Sequence, residues 1–291
     1  MEAPAFYFLD LNGLSHFYYL ARNPPSLKKL FYLSVLGLLL FETANVFFIM
    51  PMPGSQEMNS LDLAYFLYSW RWGFRLLFGL MIILGVAAAF RSSKWWPTVS
   101  LLVVFGVVYL TNFKMAADTM FYQPTNLQLT GSADNLVDNE RLVLGITYNG
   151  QAKAYPIQFL GYHHQVRDSI GGKPIMVTYC TVCRTGRVFE PIVNGKAETF
   201  RLVGMDHYNA MFEDQTTRSW WRQVTGEAVA GALKGQILPE FPSTQTTLIS
   251  GNNRYTLLGI AEDEQRPGLK KLNAYQEYWH SWQTFHPETK R

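Results

Sequence analysis

The chain reads as three N-terminal transmembrane α-helices followed by a mostly-β soluble domain, a sandwich or open barrel, with a helix at its C-terminal end. Three observations predict this. Between Leu30 and Phe90 the only charged residues are Glu42, Glu57, Asp62, Arg71 and Arg75. Beyond Lys114, short apolar stretches alternate with Asn-Gly and Gly-Gly pairs, which is the turn chemistry of antiparallel hairpins. Near the end, Asn273 to Phe285 is aromatic-rich and amphipathic, and His286-Pro287 closes it.

Residues 1–29 form a cytoplasmic segment in this reading, and residues 30–113 form the membrane region. Leu30 to Met50 is the first apolar run, ending at Pro51. Phe74 to Phe90 is the second, with the aromatic stretch from Leu61 as an alternative earlier start; Trp95 to Phe113 is the third. A helix needs about 20 residues to cross a hydrocarbon core of roughly 30 Å. Trp70, Trp72, Trp95 and Trp96 lie at run ends, where amphipathic rings favour the interface. The first run is longer than a signal core, follows 29 residues, and lacks a small-residue cleavage site, so it is expected to be retained.

Basic residues near helix ends set orientation. Arg22, Lys28 and Lys29 precede the first helix, and Arg91 and Lys94 join the second to the third. The loop between the first two helices instead carries Glu57 and Asp62. The N-terminus is therefore expected in the cytoplasm of a bacterial-type inner membrane, with residues 114–291 periplasmic or otherwise extracytoplasmic. Glu42 lies inside the first helix. An intramembrane carboxyl is either a functional site or a protonated group hydrogen-bonded to a neighbouring helix. No histidine occurs between His16 and His163, so haem between these helices is not expected.

In the soluble part, Arg141 to Tyr148 and Gln151 to Tyr155 flank Asn149-Gly150. Gln165 to Ile170 and Pro174 to Tyr179 flank Gly171-Gly172, and Arg187 to Val193 and Ala197 to Val203 flank Asn194-Gly195. Each reads as a hairpin. Ala228-Val229 and Gln245 to Ser250 offer further strands, and 251 to 272 reads as loop. No dinucleotide or phosphate-binding glycine motif is present, and no nucleic-acid partner is expected. The expected partners are the lipid bilayer and a redox or metal-delivery protein.

The only two cysteines in the chain are Cys180 and Cys183, spaced C-x-x-C. They follow an apolar strand, in a turn that Gly186 is expected to complete before a strand from Arg187. A thioredoxin-type pair opens a helix, whose N-terminus lowers the thiol pKa, and that context is missing here. Arg184 and Arg187 supply positive charge that favours a thiolate. Two chemistries remain open. In the first, one thiol attacks a disulfide and the other resolves it, with Cys180, Cys183, His163 as general base and Arg184 as the catalytic set. In the second, Cys180, Cys183, His163 and His164 hold copper or zinc, with His207 a weaker candidate. A static disulfide across two residues removes little unfolded-state entropy. A third reading is a noncatalytic binding domain.

The run Tyr162-His163-His164-Gln165-Val166-Arg167-Asp168, then Ile170-Gly171-Gly172-Lys173-Pro174, then Val177-Thr178-Tyr179-Cys180 to Cys183, resembles the bacterial domain of unknown function 3179. Asp214-x-x-Thr217-x-Ser219-x-Trp221-x-Gln223-x-Thr225-Gly226-Glu227-Ala228 resembles a second signature of that family, and Trp279-x-x-Trp282 with His286-Pro287-x-Thr289 a closing one. Together they span roughly residues 125 to 291. Some members of the family are selenoproteins, which implies redox chemistry at a thiol position. This chain departs from the family's C-P-x-C-G pattern, with Thr181 and Arg184 in place of the Pro and Gly, and His164 stands where a Glu is common. Asp214, Ser219, Trp221, Gln223 and Thr225 read as a β-turn network around a buried Trp, with a site wall as the alternative.

Overall fold

The computed structural model describes residues 24–124, 127–129, 137 and 141–247. The predicted terminal helix, the loop 251 to 272 and the Trp279, Trp282 and His286 signature lie outside them. The chain divides into two compact units, residues 1–48 with 63–115, and residues 49–62 with 116–291.

The first unit is helical. Helix α1 (Pro24–Phe47), α2 (Leu61–Ser69), α3 (Arg71–Ser92) and α4 (Trp95–Tyr109) follow one another, and a π-turn at Leu110–Lys114 continues α4. Among the described residues, three stretches are long and apolar enough to cross a membrane: Ser26–Phe47, Arg71–Ser92 and Trp95–Lys114. The predicted runs therefore hold, with shifted ends. The first helix starts at Pro24, a residue suited to a first helical turn because its missing N–H is not needed there. The aromatic stretch from Leu61 is a separate helix rather than an extension of the second span, broken from it at Trp70. Packing between α1 and α3 is close. A Cβ on Gly85 would lie 2.7 Å from the Leu27 carbonyl, so glycine permits the approach as small residues do between membrane helices. Phe31, Val35, Leu38, Phe41, Ala89 and Val104 form the shared core.

Glu42 is neither solitary nor satisfied by a single neighbour. It is wholly buried and ion-paired with Arg75, whose Nε donates to Oε1 at 2.6 Å. Asn112 and Thr111, in the π-turn, donate to Oε2 at 3.1 and 3.3 Å. Arg75 also donates to Asn112 Oδ1 at 2.5 Å. A charge buried among helices needs such partners, and here the three spans supply them jointly. Of the two sequence readings of Glu42, bonding to neighbouring helices is what these contacts display, with an Arg75 ion pair that the sequence reading did not include.

The second unit is mostly antiparallel β. Its strands are β1 (Leu142–Tyr148), β2 (Gln151–Pro156), β3 (Gln165–Ile170), β4 (Lys173–Cys180), β5 (Thr185–Phe189), β6 (Ile192–Val193), β7 (Lys196–Ala197), β8 (Phe200–Asp206), β9 (Asn209–Asp214), β10 (Trp220–Arg222), β11 (Ala228–Ala230), β12 (Glu240–Phe241) and β13 (Thr244–Thr247). They pair in the orders β13-β1-β2, β12-β5-β4-β3, β11-β10-β9-β8 and β6-β7. A short helix, α5 (Ala117–Met120), precedes them, and α6 (Ile157–His163) joins β2 to β3. Leu144, Ile146, Tyr155, Leu160, Val166, Ile175, Val177 and Val188 fill the core beside the second sheet.

The Asn149-Gly150 and Gly171-Gly172 hairpins form as predicted, with positive φ at both turn residues of each. The third hairpin divides. Only Ile192–Val193 and Lys196–Ala197 pair across Asn194-Gly195. Pro191, which lacks a ladder donor, separates β5 from β6, so β5 pairs with β4 and β12 instead. β8 pairs with β9 through a hairpin that no turn motif announced.

Candidate functional site

Cys180 and Thr185 are paired residues of β4 and β5, so Thr181 to Arg184 form a tight connection between two strands. The strand–turn–strand setting is therefore as predicted. Its closure differs in detail. β5 begins at Thr185, and Arg184 takes the left-handed conformation at φ 52°, so Arg184 rather than Gly186 completes the turn. This connection folds Cys183 back over Cys180. Its N–H donates to Cys180 Sγ at 3.4 Å, and the two sulfurs are 3.1 Å apart. The two sulfurs are not bonded to each other; Cys180 is buried and Cys183 is exposed.

The β8–β9 hairpin reaches the same sulfurs. Asp206 pairs with Asn209, leaving His207 and Tyr208 as a two-residue turn with φ of 48° and 60°. That is type I′ geometry, normally taken by Asn and Gly. Left-handed backbone costs an ordinary residue about 1–2 kcal/mol, so the turn is strained, most of all at Tyr208. The Tyr208 carbonyl accepts from Cys183 Sγ at 3.1 Å and faces Cys180 Sγ at 3.6 Å. Its N–H donates to Gln56 Oε1 at 3.2 Å. Gln56 is itself buried and donates to the Met50 carbonyl at 3.1 Å, and the Met205 N–H donates to the Ile49 carbonyl at 2.7 Å. The segment 49–62, between the first two spans, thus braces the hairpin.

Asn209 completes the site. Its Nδ2 donates to Cys183 Sγ at 3.2 Å, and its Oδ1 accepts from Val224 N–H at 3.0 Å. Gln223, fully buried, accepts from Asn209 at 3.4 Å and donates to Thr178 Oγ1 and the Thr185 carbonyl at 3.1 and 3.0 Å. Burial of the sulfur pushes the Cys183 thiol up to about 11; the Asn209 amide opposes this, and the neighbouring Cys180 adds to it. The residue as a whole is exposed, yet its sulfur faces inward toward Tyr208 and Cys180, so the two descriptions agree.

The histidines are engaged elsewhere. His163 sits at the end of α6, with Nδ1 on the Tyr122 carbonyl and its ring against Phe159 and Tyr162. His164 is buried, with Nδ1 2.8 Å from the Tyr179 carbonyl and Phe121 edge-on at 4.2 Å. Burial lowers its pKa, and the Tyr179 carbonyl partly offsets this. His207 pairs with Asp206 at 2.7 Å, and Asp206 also receives Arg222. Arg184 is exposed. Among the described residues no group of three His, Cys, Asp or Glu is placed to hold a metal ion. Cys180 and Cys183 are thus brought together, whereas His163 and His164 do not hydrogen-bond either sulfur.

The second signature splits in two. Asp214 accepts from Thr217 N–H and Oγ1, Ser219 N–H and Trp221 Nε1 at 2.5 to 3.1 Å, which is the predicted turn network. Gln223, from the same run, belongs to the site wall. Asn209 and the Tyr208 carbonyl were not identified from the sequence. An asparagine between two apolar stretches is a weak signal, and a backbone carbonyl gives none.

Residues 122–257 match the family model described as "Protein of unknown function (DUF3179)". The match ends before the Trp279 signature. No curated protein and no solved structure matches the chain.

Proposed function

We propose that this DUF3179 domain is a membrane-anchored thiol–disulfide oxidoreductase facing the extracytoplasmic side. One observation carries the reading: two cysteine sulfurs lie 3.1 Å apart, one on an exposed residue and one buried. Closing that gap to a disulfide length of about 2.05 Å takes roughly 1 Å of side-chain movement. Cys183 is the entering nucleophile and Cys180 the resolving one. The Cys183 thiolate attacks one sulfur of a substrate disulfide, forming a mixed disulfide and releasing the first thiolate, which takes up a proton. Cys180, as thiolate, then attacks Cys183 Sγ, and the second substrate thiol leaves. The substrate gains two electrons and two protons, and the protein is left with a Cys180–Cys183 disulfide, which an external dithiol must reduce. The thiolate is the reactive form, so a Cys183 thiol held near 11 makes the first step strongly base-dependent. His163, whose Nδ1 lies on the Tyr122 carbonyl, does not hydrogen-bond either sulfur, and no step here is assigned to it.

Orientation rests on the basic residues Arg22, Lys28, Lys29, Arg91 and Lys94, by the positive-inside rule. The bond from Tyr208 N–H to Gln56 bears on the number of crossings alone: three crossings put the first interhelical segment and the β-rich region on one side. Domain bounds of 1–29, 30–113 and 114–291 follow from the same topology.

A redox titration of the full-length protein in detergent tests the function. We expect a single two-electron transition that disappears when either cysteine is changed to Ser. Copper or zinc bound stoichiometrically and lost in Cys180→Ser, with no such transition, would establish the metal reading instead.

A further inference from the structure

We propose that Asn209 is the group that stabilises the Cys183 thiolate, and that Gln223 is the positioning residue that aims it. The inference rests on Cys183 being the reacting thiol, as above. It assigns to an uncharged amide the role expected of Arg184.

The amide of Asn209 can face only one way. Val224 N–H is a donor, so the side-chain oxygen must turn toward it, at 3.0 Å. The amide nitrogen is left to face Cys183 Sγ at 3.2 Å and Gln223 Oε1 at 3.4 Å. Gln223 is fixed in the same manner. Its nitrogen is held by two acceptors, Thr178 Oγ1 and the Thr185 carbonyl, which leaves its oxygen for Asn209. Thr178, Asn209 and Gln223 are all buried, so water does not compete for these bonds, and a misaimed amide would strand buried polar atoms.

Beside the Cys180 thiol, Cys183 Sγ therefore sits between one fixed acceptor and one fixed donor. The Tyr208 carbonyl, at 3.1 Å, can only receive the S–H proton and favours the thiol. The Asn209 amide can only donate and favours the thiolate. Both are delivered by one hairpin, whose strained His207-Tyr208 turn fixes their spacing. Among the described residues no cation hydrogen-bonds the sulfur. Burial drives the thiol upward and the Asn209 bond is the influence that opposes it.

The test is the pH profile of Cys183 alkylation by iodoacetamide, read by mass spectrometry on reduced full-length protein in detergent. Hydrogen bonds to a charged group are among the stronger ones, so Asn209→Leu should lower the thiolate fraction about tenfold at any pH well below the midpoint, a rise of about one unit. Asn209→Asp keeps the shape and the bond from Val224 but presents an acceptor to the sulfur, and should raise the midpoint further. Gln223→Leu should shift it in the same direction by less. Thr217→Val, in the turn network, should leave it unchanged. An unchanged midpoint in folded Asn209→Asp overturns the proposal, as does an equal shift in Thr217→Val. Alkylation needs no disulfide substrate, so this result stands apart from whether the protein turns one over.

Discussion

Replacing Arg75 by Met should destabilise the helical unit by about 3–5 kcal/mol, the range for deleting one partner of a buried ion pair. The magnitude follows from what is left behind. Glu42 is wholly inaccessible and takes two bonds from Arg75, at 2.6 and 3.1 Å. Without them, Asn112 and Thr111 remain as donors to a single oxygen, Oε2, and Oε1 is left bare in an apolar bundle. Asn112 Oδ1 also loses its 2.5 Å bond. Glu42→Gln alone leaves the guanidinium without its counter-charge, with Asn112 Oδ1 still accepting from it. The double variant removes both charges at once and should cost far less than the sum, giving a coupling of about 2 kcal/mol or more for groups in direct contact. Unfolding of the four proteins in mixed micelles, titrated with a denaturing detergent, measures the cycle. Single variants within about 0.5 kcal/mol of the parent, or a strictly additive pair, would refute the reasoning, since surface-like sites behave that way.

Three further outcomes follow. Asp214→Ala strands the donors of Thr217, Ser219 and Trp221 and should cost about 3 kcal/mol or more, since each buried unsatisfied group costs about 1–3; near-UV circular dichroism of the Trp bands during unfolding reports it. Stability should fall on acidification in two windows. His164 has a folded pKa lowered below 6.5 by burial, so its contribution is complete above pH 6.5 and is lost as pH falls through the folded value. Asp168 resists burial through its bonds to Lys153 and Tyr155 and lies below 3.8, so its contribution is present above that pH and lost at lower pH. His164→Phe should flatten the first window and Asp168→Asn the second in denaturation curves taken across pH. A reporter active only in the periplasm and fused after Arg291 should be active, and a silent one would reverse the topology.

Most of the fold was legible because it rests on strong local physics. The three spans follow from runs too apolar to be solvated, and two hairpins follow from Asn-Gly and Gly-Gly pairs that only positive φ explains. The β8–β9 hairpin was not legible, because its turn is His207-Tyr208 and tertiary contacts hold it in a conformation those residues do not favour. The Glu42–Arg75 pair was not legible either, since 33 positions separate the partners. At the site, the C-x-x-C spacing identified the two sulfurs that come together and their strand–turn–strand setting. What surrounds the sulfurs came from elsewhere: Gln56 from the first interhelical segment, Tyr208 as a carbonyl and Asn209 as an oriented amide. The two histidines nearest in sequence looked like partners of the thiols, yet α6 and β3 turn one toward Tyr122 and the other toward Tyr179.

Trapping with a small aromatic disulfide tests the division of labour between the thiols most directly. Reduced full-length protein is mixed with 5,5′-dithiobis(2-nitrobenzoate), and the released chromophore and the protein mass are followed together. The wild type should release two equivalents and end 2 mass units lighter as a Cys180–Cys183 disulfide, two protons having left. Cys180→Ser should release one equivalent and stop as a stable mixed disulfide on Cys183, while Cys183→Ser, its remaining thiol fully buried, should react far more slowly. Equal trapping in the two single variants, or a wild type that stops at the mixed disulfide, would contradict the assignment.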